Sequence, residues 1–277
     1  FANEVGYPVI VRPSYVLSGA AMAVVHSDEE LDEYIGSAAF VNKESPIVIS
    51  QFELGAKEIE FDGVAQNGEL IIYATGEHVE NAGVHSGDSA MVLPPHTLSE
   101  EALREVRRAA ISLGKALQVL GLMNIQFAVK QDVLYVIEVN PRASRTVPFI
   151  SKATGLPLAK VATRAMVGQT MKQQGVEREI IPPYLAVKES VFPFTRFHGV
   201  DILLGPEMRS TGEVMGIDPG FGQAFIKSQL AAGQRLPDKG TIFISVRNSE
   251  KRDVVLIAQQ LVGLGFDLVA TRGTASA

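Results

Sequence analysis

Short apolar runs alternate along this chain with longer amphipathic stripes, a pattern that predicts mixed α and β structure. Val9-Ile10-Val11 reads as a buried strand and residues 22–25 as a second. A capping box, Ser27-x-x-Glu30, then opens a helix that carries Leu31, Tyr34, Ile35 and Ala38 on one stripe. Strands are expected again over 47–50, 57–64 and 70–75. A long helix follows over about 99–120, where Leu103, Val106, Ala110, Leu113 and Leu117 make a face that packs on a sheet. From Pro148 onward the character changes, with a helix near 158–167 and then irregular, proline-containing segments to about Gly216. Residues 241–246 read as a strand, 251–264 as a helix, Gly265 as its stop, and 266–270 as a strand leading into Thr271-Arg272-Gly273-Thr274. That is the opening βαβ of a parallel sheet. No internal repeat interrupts this order.

Two further runs, 124–129 and 132–140, read as strands of one hairpin that Pro141 ends. Strand alternation puts Leu134, Val136, Glu138 and Asn140 on one face and Val133, Tyr135, Ile137 and Val139 on the other. A three-residue turn of Lys130, Gln131 and Asp132 would set Gln126 beside Val136, on the face of Glu138 and Asn140. Three hard oxygen donors then converge. One carboxylate with two amide carbonyls is a ligand set that magnesium accepts, with phosphate oxygens and water completing its shell, and Arg142 and Arg145 just beyond suit phosphates. Glu-x-Asn by itself reads more simply as a solvated strand end; Gln126 and the two arginines tilt the reading toward a metal-nucleotide phosphate site.

Composition narrows the class. With 277 residues, 46% hydrophobic and 20% charged, the chain has an ordinary globular balance and length enough for a sizeable core. A formal charge of -6 gives no general reason to bind nucleic acid or an anionic membrane, and no apolar stretch reaches the length of a membrane span. The absence of cysteine excludes disulfides, thiolate catalysis and thiolate metal ligands. The start, Phe1-Ala2-Asn3-Glu4-Val5, shows neither a signal peptide nor an initiator methionine, so position 1 is expected to lie inside a longer protein, with cytoplasm as the default compartment.

Three other constellations carry chemistry. Glu58, Glu60 and Asp62 alternate along one strand, either as a solvated edge or as a ribose or cation contact. Gly83-Val84-His85-Ser86-Gly87-Asp88 sets an imidazole, a hydroxyl and a carboxylate on a glycine-flanked turn; without a nucleophile elbow around Ser86, anion binding is favoured over covalent catalysis. Arg12 ends an apolar strand ahead of a loop with Ser14, Ser18 and Gly19, able to clamp phosphates although no P-loop pattern is present.

In order, Val11-Arg12-Pro13-Ser14-Tyr15-Val16-Leu17, the run from Glu77 to Asp88, Ile137-Glu138-Val139-Asn140-Pro141-Arg142, Ser151-Lys152-Ala153-Thr154-Gly155 and the run from Gly205 to Val214 resemble the large subunits of carbamoyl phosphate synthetases, a family of ATP-grasp enzymes. The resemblance covers essentially the whole sequence. It implies an α/β protein, α+β in its ATP-grasp form, over 1–233 with the N-terminal lobe missing. Residues 234–277 would be the truncated start of a parallel α/β allosteric domain of the methylglyoxal-synthase-like kind. Of the family's two homologous halves, Arg145-Thr146-Val147-Pro148-Phe149 and the late βαβ look like the second, which phosphorylates carbamate with ATP and feeds pyrimidine and arginine biosynthesis.

Carried over by motif, Arg12, Gln51, Glu53, Glu58, Gly83, Val84, His85 and Ser86 would bind nucleotide. Gln126, Glu138 and Asn140 would hold two magnesium or manganese ions, with Gln126 and Glu138 also meeting the nucleotide. Arg142 and Arg145 would stabilise the transferring phosphoryl group and His85 would orient or polarise the acceptor. His78, Glu80, Asn81, Val84 and Ser86 resemble the stretch that holds a structural potassium ion. Lys251, Thr271 and Thr274 match candidates for a nucleotide effector, against the plain reading of Thr-x-Gly-Thr as a turn. Implied partners are a glutamine amidotransferase subunit or domain and the rest of the large subunit. The sequence departs from a common family form at Ser18-Gly19-Ala20-Ala21-Met22, where a Gly-Gly pair followed by arginine is expected. Another ATP-grasp ligase or carboxylase, or a non-catalytic nucleotide-binding fragment, are the competing readings.

Overall fold

The computed structural model describes residues 1–14, 21–41, 46–176, 178–194, 199 and 202–277, and not the side chains of 37–41 or 72. Most of the predicted phosphate loop, Ser18-Gly19-Ala20, and the side chain of Ala38 lie outside that description. The chain forms two compact units, Phe1–Gly233 and Gln234–Ala277.

The first unit opens with α1 (Ala2–Val5), β1 (Val9–Pro13), β2 (Ala23–Val25), α2 (Asp28–Val41) and β3 (Ile47–Gln51). The three strands form an antiparallel sheet in the order β2-β1-β3. Ala2, Val9, Val11 and Val25 make its core, with Leu31, Tyr34 and Ile49 against them. Half of the capping box is present: Ser27 Oγ accepts from the Glu30 N–H at 3.3 Å, while the Glu30 carboxylate takes the N–H of His26, one residue before the cap, at 2.7 Å.

The remaining strands of this unit are β4 (Lys57–Gln66), β5 (Glu69–Asn81), β6 (Met91–Leu93), β7 (Gly121–Lys130), β8 (Val133–Asn140), β9 (Leu185–Val191) and β10 (Gly212–Asp218). They form one antiparallel sheet in the order β10-β9-β6-β5-β4-β7-β8. Helix α3 (Glu100–Ala116), capped by Ser99, sets Val106 and Ala110 on Ile59, Phe61, Ile125 and Phe127 on one face. On the other, α4 (Val147–Thr154) and α5 (Leu158–Met166) bury Val147, Ile150, Leu158 and Val161 with Val64, Met91 and Leu93. Helix α3 is shorter than expected, and Leu117 beyond it is exposed.

Three expectations are corrected. The stretch to Gly216 is not irregular: β9 and β10 pair in antiparallel register and α6 (Phe221–Ala231) covers them. A Cβ at Gly216 would lie 2.1 Å from the Ala224 carbonyl oxygen, so only glycine lets α6 approach β10 this closely. Glu58, Glu60 and Asp62 are not a solvated edge, because β4 lies between β5 and β7 and buries all three. The hairpin turn has two residues, Gln131 and Asp132, both at positive φ, rather than three.

That turn changes the register. Phe127 faces Val136 and Gln126 faces Glu138, with Ile137 as the extra residue of a bulge. Leu134 and Val136 therefore lie on the α3 side, opposite to Glu138 and Asn140, not with them. Strict alternation from a two-residue turn would have put Ile137 opposite Gln126 and turned Glu138 into the core. The bulge re-aims the carboxylate outward.

The second unit consists of β11 (Thr241–Ile244), α7 (Lys251–Gly263), β12 (Asp267–Ala270) and α8 (Arg272–Ala275), with β11 and β12 parallel as expected. Among the described residues no helix is long and apolar enough to cross a membrane.

Candidate functional site

One face of β4 changes character along its length. Val64 lies in the α4–α5 core, while Asp62, Glu60 and Glu58, at successive alternate positions, enter a buried polar layer at 1%, 2% and 6% exposure. Glu60 and Asp62 find donors on β7 next door, while Glu58 accepts from the Gly83 backbone. Asn124, level with Asp62, donates from Nδ2 to Glu60 at 2.5 Å and to Asp62 at 3.2 Å; Gln126, level with Glu60, donates to it at 2.9 Å. Such a layer is tolerated because its oxygens are satisfied.

Gln126 is the hinge between this layer and the exposed shelf. Its amide nitrogen also donates to Ser86 Oγ at 2.9 Å, so the carbonyl oxygen is left for a ligand. Across the strand pair, Asn140 donates from Nδ2 to Glu138 at 2.7 Å, which leaves its own carbonyl and the second carboxylate oxygen of Glu138. These hard oxygen atoms fit magnesium. Among the described residues no three His, Asp or Glu side chains group as a metal site, so a divalent ion here would depend on amide carbonyls around one carboxylate.

The turn after β5 faces the same shelf. Gly83 adopts φ 112°, and a Cβ there would meet the Phe52 ring at 2.7 Å. His85 Nδ1 accepts the Gly87 N–H at 2.9 Å, which puts the imidazole proton on Nε2. Burial lowers the His85 pKa, with Asp88 pulling it back up and Arg145 pushing it further down; Glu138 and Lys188 act on it too. The ring is thus a neutral donor within the field of both the shelf and the arginine turn. Asp88 is structural: its carboxylate accepts the Arg209 and Ser210 N–H groups at 2.7 and 2.9 Å.

Burial dominates the electrostatics. Desolvation, then the charge of Glu60, pushes Glu58 up to about 8; the same two causes push Asp62 up to about 7. His78, on β5, is pushed down to about 3 by burial, then by Lys188 and Lys57. It lies 3.9 Å from Glu58 and 4.0 Å from Glu60, too far for hydrogen bonds, and is a neutral ring whose Nε2 has no hydrogen-bond partner. Lys188 on β9 is 1% exposed and donates to the Ser86 carbonyl at 3.1 Å, its pKa lowered by burial.

The expected residues therefore fall into two groups. Glu58, Ser86, His85, Gln126, Glu138, Asn140 and Arg145 surround one shelf through hydrogen bonds, register and mutual charge effects. Arg142, exposed at the same turn, donates to the Ala143 carbonyl at 3.0 Å, and Arg145 touches Met208. Arg12 and Gln51 lie exposed on the three-stranded sheet, and Glu53 just after it is tied to Lys130 of β7 at 2.8 Å. Asn124, Ser144, Thr146 and Lys188 were not singled out from the sequence. Asn124 had a signal, its place two residues before Gln126; Lys188 had none, since β9 was read as irregular.

Comparison with known proteins adds the relatives. Residues 1–174 match the family model described as carbamoyl-phosphate synthase L chain, ATP binding domain. The chain is 55% identical over 274 residues to the carbamoyl phosphate synthase large chain of Neisseria meningitidis, covering 99% of this chain and 26% of that protein. It thus spans about a quarter of the length of the relatives it matches. Among solved structures, the biotin carboxylase domain of Hydrogenobacter thermophilus 2-oxoglutarate carboxylase, in complex with MgADP, ADP and bicarbonate, superposes with a TM-score of 0.57 at 18% identity, covering 70% of this chain and 44% of that one. An L-amino acid ligase from Bacillus licheniformis gives 0.59 at 16% identity, covering 82% and 63%. These likenesses show the ATP-grasp fold.

Proposed function

Because this chain belongs to the carbamoyl-phosphate synthase L chain ATP-binding family, we propose that it is the carbamate-phosphorylating part of a carbamoyl phosphate synthase large chain. The observation that carries this reading is the register that sets Gln126 opposite Glu138 with Asn140 beside it, each keeping an oxygen free, with the charges of Glu138 and Arg145 both acting on His85.

In this reading the nucleotide phosphates lie over the β7–β8 shelf. Gln126, Glu138 and Asn140 would hold magnesium or manganese, two ions in all, which neutralise charge on the phosphate oxygens. Arg142 and Arg145 offset the negative charge that builds on the transferring phosphoryl oxygens, and His85, neutral with its proton on Nε2, orients the carbamate acceptor. No protein nucleophile is required. Arg12, Gln51, Glu53, Glu58, Gly83, Val84 and Ser86 complete the nucleotide contacts. The potassium ion implied near His78, Glu80, Asn81, Val84 and Ser86 would draw its oxygens from the rest of that stretch, since Glu80 is taken by Ser89 Oγ at 2.6 Å and the Ala90 N–H at 2.9 Å.

Residues 234–277 would begin an allosteric domain. There Lys251 lies beside Gly273, and Thr271 donates to Thr274 at 3.0 Å, a cluster suited to a phosphate-bearing effector. The complete protein would work in the cytoplasm with a glutamine amidotransferase partner and the rest of the large chain.

The test is ATP formation from carbamoyl phosphate and ADP, measured on this chain and on the longer protein containing it. We expect turnover in the longer protein and its loss by at least about 10²-fold in Glu138→Gln, through weakened metal binding. Full activity of Glu138→Gln refutes the metal shelf, and no activity in either wild-type protein refutes the enzymatic reading.

A further inference from the structure

The polar layer inside the sheet continues past the shelf. Asp62, 1% exposed, accepts from Ser144 Oγ at 2.5 Å and from Asn124 Nδ2 at 3.2 Å on one oxygen, and from Thr146 Oγ1 on the other. Ser144 and Thr146 flank Arg145 in sequence, so two anchors, one half-buried and one buried, hold the residue between them while its guanidinium stays exposed. Thr146 also begins α4. A threonine at that position ordinarily accepts a backbone N–H of the first turn, but here its side chain makes no such cap and is given to Asp62. The donor set is complete along the row: Gln126 and Asn124 fill the two oxygens of Glu60, and Asn124, Ser144 and Thr146 fill those of Asp62.

We infer that Asp62 is a positioning residue: from inside the sheet, its carboxylate holds the turn carrying Arg145 in register with the β7–β8 shelf, with Asn124 as the link between them. This rests on the reading above that Arg145 stabilises the transferring phosphoryl group. Asp62 touches no reacting atom in that picture. It acts by keeping Arg145 and the Gln126 oxygen at a fixed separation, through side chains with no freedom to adjust.

The experiment is a double-mutant cycle in the longer protein, reading ATP formation from carbamoyl phosphate and ADP. Asp62→Ala should lower kcat about 10²-fold with little change in KM for ADP, the loss expected when a catalytic group is misplaced by about 1 Å. In an Arg145→Ala background, Asp62→Ala should cost less than about threefold more, because the group it positions is gone. The lighter Ser144→Ala/Thr146→Val pair should lower kcat in the same way, and it decides the matter if Asp62→Ala does not fold. Losses that multiply across the cycle, a rise in KM with kcat intact, or an unaffected Ser144→Ala/Thr146→Val enzyme would each overturn the inference alone. Wild-type rates in Arg145→Ala would overturn the clamp reading, and this inference with it.

Discussion

Phe61 and Asp62 are neighbours on the central strand, 0% and 1% exposed, yet they are buried for opposite reasons. Phe61 points to α3, stacks on Tyr73 at 5.2 Å between ring centroids and removes apolar area from water. Asp62 points to the other face, where its burial is unfavourable by itself and is offset only by the donors that converge on it. The same alternation runs through Ile59 and Glu60, and on β7 through Ile125 and Asn124. One face of these strands makes the fold, and the other holds a preorganised site at some expense of stability.

The sharpest way to break this comparison is to exchange the roles. Phe61→Ala should destabilise the first unit by about 3–5 kcal/mol, as aromatic-to-alanine changes in cores do, with the activity of the longer protein falling only as its folded fraction falls. Urea unfolding combined with activity per folded molecule checks both halves. An intact stability after that change would mean that the α3 face is not the principal core.

Glu60→Gln should behave in the opposite sense. It relieves a buried charge but sets a new amide against the NH₂ groups of Asn124 and Gln126, so stability should change by no more than about 2 kcal/mol. Phosphoryl transfer should fall at least about tenfold, because Gln126 loses the anchor that aims its oxygen. A loss of several kcal/mol with unchanged activity per folded molecule would sink the division between the two faces.

The faces also differ in how much of them the sequence reveals. Apolar periodicity finds α3 and its partners, because a helix that buries Val106 and Ala110 must repeat them at helical spacing. The hairpin is legible from its alternation, but the Ile137 bulge is not. A three-residue turn without a bulge puts Gln126 on the face of Glu138 just as well, so alternation alone does not distinguish the two. Strand β9 escapes because Lys188, Glu189 and Ser190 are all buried in it, and such a string ordinarily reads as a solvated loop. Glu58, Glu60 and Asp62 read as an edge for the same reason, since nothing local says that a strand with three carboxylates lies between β5 and β7. Sites of this kind contradict local patterning, and long-range pairing must be known before they make sense.

The smallest effect tests the polar face through protons. Asp62, ordinarily near 3.8, is held up to about 7, and Glu58, ordinarily near 4.5, up to about 8. Between the ordinary and the raised values the folded state carries a proton that the unfolded chain has released, so stability falls as pH rises through those windows. His78 works the other way. Held down to about 3 from 6.5, it is neutral in the folded state while the unfolded chain is protonated, so its contribution rises with pH and is complete by about 6.5. Below that point it offsets one of the two carboxylates; between about 6.5 and 8 the carboxylates are unopposed by it. In Asp62→Asn the fall in stability should become shallower between pH 5 and 7 by at most about 1.4 kcal/mol per pH unit, the limit for one proton, while the decline from 7 to 8 remains. Urea unfolding of this chain at unit pH steps measures the difference. Identical slopes between pH 5 and 7 in the two proteins would mean that Asp62 is already ionised in the fold, with its donors outweighing its burial.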